Sequence, residues 1–233
     1  MVKSAQNKPF ASRAQAETKM YQDIYDAVME HRLPPQTKLT EQTLCDIYDL
    51  ARHDVRKVLT QLAADGLVDL EPNRGAFIAS PSTLEAQELF ELRESLEALV
   101  IDKVAQSASE EDLAELQSMV EQERLAWQQG DRPTWIRLSA DFHVALSRLA
   151  GNGSLTHLLR RLVSRSTLLI SGKEAPGDAV CSFDEHAHIL SRLQAGDKTG
   201  AQKSMARHLQ GCARRLTINE GKSFDLRSAL IRN

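Results

Sequence analysis

Three histidines in the C-terminal two-thirds of this 233-residue sequence fall on apolar helical stripes. His186 shares a stripe with Ile189, Leu190 and Leu193, and His208 lies between Met205 and Cys212 on a stripe running on to Leu216. His143 sits beside Phe142 and Leu146. Such positions face inward. An inward histidine is either a hydrogen-bonded core residue or a ligand, and imidazole binds zinc and nickel readily. Three of them on three helices that could converge make metal binding a serious alternative. His31, His53, His157 and His188 lie on no such stripe.

Two arginines occupy similar places. Arg93 lies with Leu89, Leu96 and Val100, and Arg165 with Leu158, Leu162 and Leu169. A buried charge without a partner is costly. Each guanidinium is therefore either salt-bridged inside a helical core or held for an anionic ligand. If it is a ligand, a carboxylate fits, because Arg binds one with two hydrogen bonds. A pocket holding these groups and a metal would take a small organic acid.

A second cluster is basic and outward-facing. Residues 41–59 carry apolar groups at Leu44, Ile47 and Tyr48, then Leu50, then Val55, Val58 and Leu59. The spacing gives two short helices crossing around one buried corner, with Asp49 at a turn that needs a residue tolerating the left-handed region. The second helix presents Arg52, His53, Arg56 and Lys57 outward. Arg52 and Arg56 are four residues apart on one face, and Arg can read a guanine edge bidentately. Lys57 and Lys38 suit phosphates. Asp54 has three readings: favouring the helix N-terminus, accepting from a cytosine, or facing solvent, of which the last is preferred.

The flanks identify the frame. Residues 1–15 are polar and aperiodic and read as a flexible arm. Helical spacing begins near Ala16 and stops at Leu33-Pro34-Pro35, since proline removes a helix donor and restricts its predecessor. After Ala63-Ala64-Asp65-Gly66, two strands at 67–71 and 76–79 are joined by Pro72-Asn73-Arg74-Gly75, a hairpin turn with Arg74 at its tip. Three helices and a hairpin in that order predict a winged helix-turn-helix over residues 16–80, with Asn73, Arg74 and Gly75 placed to meet a minor groove or phosphate. From Ser82-Thr83-Leu84-Glu85 onward the pattern is wholly helical. Ser109 with Asp112, and Ser182 with Glu185, read as further helix starts of the capping-box type. Residues 172–180 read as a loop and 82–220 as a six- or seven-helix all-α bundle. Residues 221–233 read as a tail without an assignable role.

The N-terminal segment resembles the DNA-binding domain of the GntR family of bacterial transcription regulators. The resemblance rests on Leu-Pro-Pro-Gln-Thr-Lys-Leu, Leu-Ala-Arg-His-Asp-Val-Arg-Lys-Val-Leu, Leu-Ala-Ala-Asp-Gly-Leu-Val and Pro-Asn-Arg-Gly-Ala-Phe-Ile, at the family's spacing. Three positions depart from it: Gln36 for a glycine, Ala51 for a serine and Asp54 for a proline. The helical remainder is similar to the FCD ligand-binding domain of the FadR-type branch, through Asp-Phe-His143-Val-Ala-Leu, Ala-Gly-Asn152, Asp-Glu-His186, Ala-Gly-Asp197 and Met-Ala-Arg-His208-Leu. That resemblance implies a divalent metal, zinc or nickel, on His143, His186 and His208. The family's fourth ligand, an Asp one turn before the first His, is here Ser139, which becomes a pocket-lining residue. The expected function is a ligand-responsive repressor that binds a palindromic operator as a homodimer. The alternative from another class is a helical metal-dependent hydrolase using the three histidines with Glu185 or Asp184 as base.

The totals narrow the choice. The net charge is −3, and residues 1–80 hold 10 Lys and Arg against 11 Asp and Glu. This disfavours a non-specific nucleic-acid coat and leaves room for a focused basic surface. No apolar run is long enough for a membrane span or a secretory signal core. Cys45, Cys181 and Cys212 are odd in number and far apart. Reduced thiols in a cytoplasmic protein are expected.

Overall fold

The computed structural model describes residues 12–169, 182–214 and 226–230. Its architecture is mostly α, a winged helix-turn-helix head against a helical bundle. In the head, α1 spans Arg13–Met29, β1 Lys38–Leu39, α2 Glu41–Tyr48, α3 Arg52–Ala64, β2 Val68–Glu71 and β3 Gly75–Ile78. Ser12 caps α1 by accepting from the Gln15 amide, so the helix starts at Arg13 and the arm expected over 1–15 is shorter. Residues 1–11 of that arm lie outside the described residues. The sheet has the order β1-β3-β2 and is antiparallel throughout, with Lys38 opposite Phe77 and Leu70 opposite Ala76. The two-residue β1 carries no sequence period of its own and exists by pairing with β3.

Asp49 ends α2 in the left-handed region at φ 52°, as the turn between α2 and α3 requires. Gln36 also adopts a left-handed φ of 65°. This is the position where the family resemblance places glycine, and a side chain there is strained. The tip of the wing turns through Asn73 (φ 61°) and Gly75 (φ 104°).

The bundle comprises α4 Thr83–Ser107, α5 Glu110–Gln128, α6 Arg132–Leu149, α7 Gly153–Thr167, α8 Ser182–Gln194 and α9 Lys198–Arg214. Ser109 and Asp112 form a full capping box on α5. Ser82 accepts from the Glu85 amide, but the Glu85 side chain turns to Arg165 instead of returning to the cap. The box expected at Ser182 and Glu185 is replaced as well, for both side chains are drawn into the bundle interior. The loop expected over 172–180 and residues 215–219 of the last helix lie outside the described residues.

Among the described residues two large apolar cores result, with two small satellites. One fills the bundle around Phe142, Leu159, Ile189 and Met205. The other fills the head and extends into the bundle through Ala140, Val144, Val163 and Leu168. Residues 226–230, expected as tail, form a short helix α10, Leu226–Leu230. Its Leu226, Ala229 and Leu230 are buried in the core of the head, and Arg32 donates to the Ala229 carbonyl. Among the described residues no helix is long and apolar enough to cross a membrane.

Candidate functional site

His143 on α6, His186 on α8 and His208 on α9 are all buried. Their Nε2 atoms converge, at 3.3 Å between His186 and His208 and 3.2 Å between His208 and His143. The opposite nitrogen of each ring meets a carboxylate. His143 Nδ1 is 2.5 Å from Glu97, His186 Nδ1 2.9 Å from Glu123, and His208 Nδ1 2.7 Å from Glu185. An ionised carboxylate can only accept, so each Nδ1 carries a proton, and a neutral ring then turns its lone pair to the common centre. This is how metal-ligating histidines are oriented by their outer partners.

The electrostatics favour a cation at that centre. Burial pushes His143 down to about 3 and lowers His186, so both rings are neutral. Burial acts the same way on His208, but Cys212 and Glu185 outweigh it and carry this ring up to about 10. Burial alone would raise Glu97, yet Arg93 and His143 hold it down to about 2. Glu123 is lowered too, His186 overcoming its burial. Three carboxylates against the Arg93 guanidinium and the protonated His208 ring leave one negative charge, and two once the His208 proton is displaced, the amount one divalent ion neutralises. A bound ion would take the place of the proton on His208 Nε2.

A cavity of about 50 Å³ opens beside this centre, lined by Arg93, Trp135, Ser139, His143, His208 and Cys212 among others. That is room for a few water-sized groups. Arg93 is 3% exposed; its Nε donates to Glu97 at 2.8 Å and one terminal nitrogen to Ser166 at 2.9 Å. The other terminal nitrogen is buried without a hydrogen-bond partner among the described residues. An unsatisfied buried guanidinium donor is expensive. A ligand acceptor would relieve it.

Arg165 is not part of this pocket. It reaches the other way, to Glu85 on α4, to Asp69 at 3.0 Å and to the carbonyl of Gly66. Its stripe position is explained by the head packing there: Gly66 (φ 78°) lies so close to α7 that a Cβ would stand 3.0 Å from the Arg161 backbone oxygen. Arg165 joins bundle to wing, and its place as an effector residue is withdrawn.

Sequence reasoning missed Glu97 and Glu123. Both carry the signal that flagged Arg93, a charge on an apolar stripe. Glu97 lies one turn from Ile101, and Glu123 continues Leu113, Leu116 and Val120.

On the head, Arg52, His53, Arg56 and Lys57 are exposed on α3, Lys38 on β1, and Asn73, Arg74 and Gly75 at the wing tip. The charges are provisionally paired. Arg56 meets Glu41 at 2.7 Å, Lys57 meets Glu17, Arg52 donates to Gln42, and Arg74 meets Glu71. Exposed pairs of this kind contribute little, because water and salt screen them. A phosphate or base edge can therefore replace the acid partner. Asp54 corrects an expectation: it is 2% exposed and accepts from Arg13 of α1. Its acid is spent fixing α3 against α1 and does not face solvent.

Comparison with known proteins agrees with both halves. Residues 16–78 match bacterial regulatory proteins of the gntR family, and residues 88–211 match the FCD domain. The HTH-type transcriptional repressor RspR of Escherichia coli (strain K12) is 23% identical over 194 residues, covering 82% of this chain and 84% of that protein. LutR, an HTH-type transcriptional regulator of Bacillus subtilis (strain 168), is 26% identical over 202 residues, covering 76% and 90%. Among solved structures, E. coli McbR/YncC superposes with a TM-score of 0.70 at 20% identity over 84% of this chain and 93% of that one. A GntR protein from Rhodococcus sp. RHA1 gives 0.71 at 21% identity over 85% and 95%. These likenesses leave no place for the hydrolase reading, whose candidate base Glu185 is engaged by His208. With a winged helix in front and an FCD domain behind, the chain belongs to the GntR family and is a DNA-binding transcription regulator.

Proposed function

We propose that this regulator is a repressor of the cytoplasm, relieved by a small organic acid that enters the cavity lined by Arg93, His143 and His208. The observation that carries this reading is the buried Arg93 nitrogen without a partner, in the wall of a cavity beside three converging Nε2 atoms. His143, His186 and His208 would hold a divalent ion, zinc or nickel, which supplies Lewis-acid attraction for a carboxylate oxygen. Arg93 would bind the second oxygen, and Ser139 lines the approach. The small cavity limits the acid to a few heavy atoms unless the wall opens.

On DNA, α3 enters the major groove with Arg52 and Arg56 at base edges. Lys38, His53 and Lys57 serve the backbone, and Asn73, Arg74 and Gly75 reach the flanking groove or phosphates. One such head reads a short half-site, so a palindromic operator and a homodimer follow. In support of self-association, α4 leaves Leu84, Leu92 and Leu99 65%, 53% and 43% exposed, two turns apart on one face.

Binding-site selection from random duplexes, followed by a mobility shift on the selected sequence, tests the reading. A two-fold symmetric site with saturable retention, weakened by a small carboxylate, is expected. Retention without sequence preference sinks the operator assignment. Indifference to every short carboxylate across metal-loaded protein sinks the effector class.

A further inference from the structure

His186 is the most enclosed of the three histidines. Phe142 stacks on its ring, with centroids 4.1 Å apart and planes 18° from parallel. Stacking sets the plane of the ring but not which nitrogen carries the proton. That choice falls to a chain of edge contacts that begins at Trp135, every member of it buried. Trp135 Nε1 on α6 lies 2.9 Å from Ser182 Oγ, and Ser182 Oγ meets one oxygen of Glu123 on α5. The other oxygen of Glu123 lies 2.9 Å from His186 Nδ1. Ser182 opens α8 one turn before His186, so the two share a face.

Each proton on this chain has one place. An indole N–H can only donate, so Ser182 accepts from it and spends its own hydroxyl proton on Glu123. The carboxylate accepts on both oxygens, and the second takes the Nδ1 proton of His186. The Nε2 lone pair is thereby turned to the common centre. A buried carboxylate with a donor on one oxygen alone would be left underpaired, and its hold on the ring would weaken. The other two histidines are held differently. A fixed charge, Arg93, meets the free oxygen of Glu97 behind His143, and Glu185 behind His208 is 20% exposed.

We propose that Ser182 and Trp135 are positioning residues for the metal centre, a neutral relay that holds Glu123 and through it the ligating tautomer of His186. This inference rests on the metal reading of the three histidines. Both relay residues also line the cavity, so a small acid seated there lies against the chain that orients a metal ligand. Effector and metal are then coupled through the relay as well as by direct contact, and such coupling is reciprocal.

The test compares Ser182→Ala and Trp135→Phe with Trp127→Phe, the same change in a neighbouring ring 4.8 Å away and outside the relay. Two readouts are taken on the full chain. One is zinc affinity by chelator competition. The other, in metal-free protein with isotope-labelled histidine, is the nitrogen that carries the His186 proton, read by proton–nitrogen correlation and assigned by its loss in His186→Gln. Zinc affinity should fall about 10-fold in Ser182→Ala and about 3-fold in Trp135→Phe, at or below the range for an outer-shell partner, and hold in Trp127→Phe. His186 should be Nδ1-protonated in the wild type and gain an Nε2-protonated population in Ser182→Ala, a change that lost packing alone does not produce. Wild-type affinity and tautomer in Ser182→Ala would overturn the relay. Equal losses in Trp135→Phe and Trp127→Phe would overturn it too, by assigning the effect to packing, and this pair decides alone if Ser182→Ala does not fold. A wild-type chain that binds no zinc would overturn the metal reading itself, whatever the tautomer shows.

Discussion

The histidine pocket and the face of α3 are both assemblies of paired charges, yet they are built to opposite ends. In the pocket three pairs are fully buried, Arg93 with Glu97, His143 with Glu97 and His186 with Glu123, and the fourth, His208 with Glu185, is part-buried. Removing one member leaves the other charged or polar in a medium that cannot solvate it. On α3 the acids are lent, since Arg56 and Lys57 are 66% and 69% exposed and water already competes for them. Pre-organisation suits a site that must hold one small ligand. Loose pairing suits a surface that must exchange its acids for a nucleic acid.

Breaking each side separately sharpens the contrast. The largest effect is expected from Arg52→Ala with Arg56→Ala. Loss of two base-edge contacts at about 1–3 kcal/mol each should weaken operator binding at least about 30-fold in a mobility shift, with little change in melting temperature. A double variant that selects the same site at wild-type affinity would take these residues off the DNA. Next comes Glu123→Gln in the pocket, where both stability and metal affinity should fall, the latter by about 10–100-fold in a chelator competition. Unchanged affinity would make Glu123 a core residue and no more.

Between the two regions lies Arg165. Arg165→Ala removes bonds to Glu85, Asp69 and the Gly66 carbonyl. Because those acids are 34% and 44% exposed, only about 1 kcal/mol is expected. Its place matters more than its strength. Residue 165 neighbours Ser166, the acceptor for Arg93, so one helix touches both the pocket and the wing. Faster hydrogen exchange at residues 66–71 should follow the substitution, and an unchanged exchange rate there would detach the wing from α7. The smallest effect is Gln36→Gly, which relieves the left-handed strain but frees the unfolded chain. A net gain of about 0.5 kcal/mol in urea denaturation is expected, and a loss would show that the Gln36 contact to Ser80 outweighs the strain.

Much of this was legible in local pattern. The helical stripes placed His143, His186 and His208 inward, the proline and glycine signals placed the wing, and Asp49 marked the turn. The misread contacts share one physical cause, distance along the chain. Asp54 was read as solvent-facing because its partner, Arg13, lies 41 residues away on another helix. For Arg165 the apolar stripe left a salt bridge and a pocket role both open, because the acids that claim it, Glu85 and Asp69, lie 80 and 96 residues upstream. Glu185 had a sufficient local explanation as a cap, and His208 claimed it from the next helix. Glu97 and Glu123 were within reach of the rule that singled out Arg93. Leu226, Ala229 and Leu230 carry a helical spacing too short to stand as evidence by itself.

That short segment has a mechanical consequence. α10 follows the bundle in sequence but packs against α1 and α2 in the core of the head. The head is thus joined to the bundle at the start of α4, across Arg165, along α1 and α6 where Tyr25 donates to Asp141, and again by α10. A body held at several points does not swing like a pendulum on its linker. Any displacement of the head that released α10 would expose the apolar side chains of Leu226, Ala229 and Leu230.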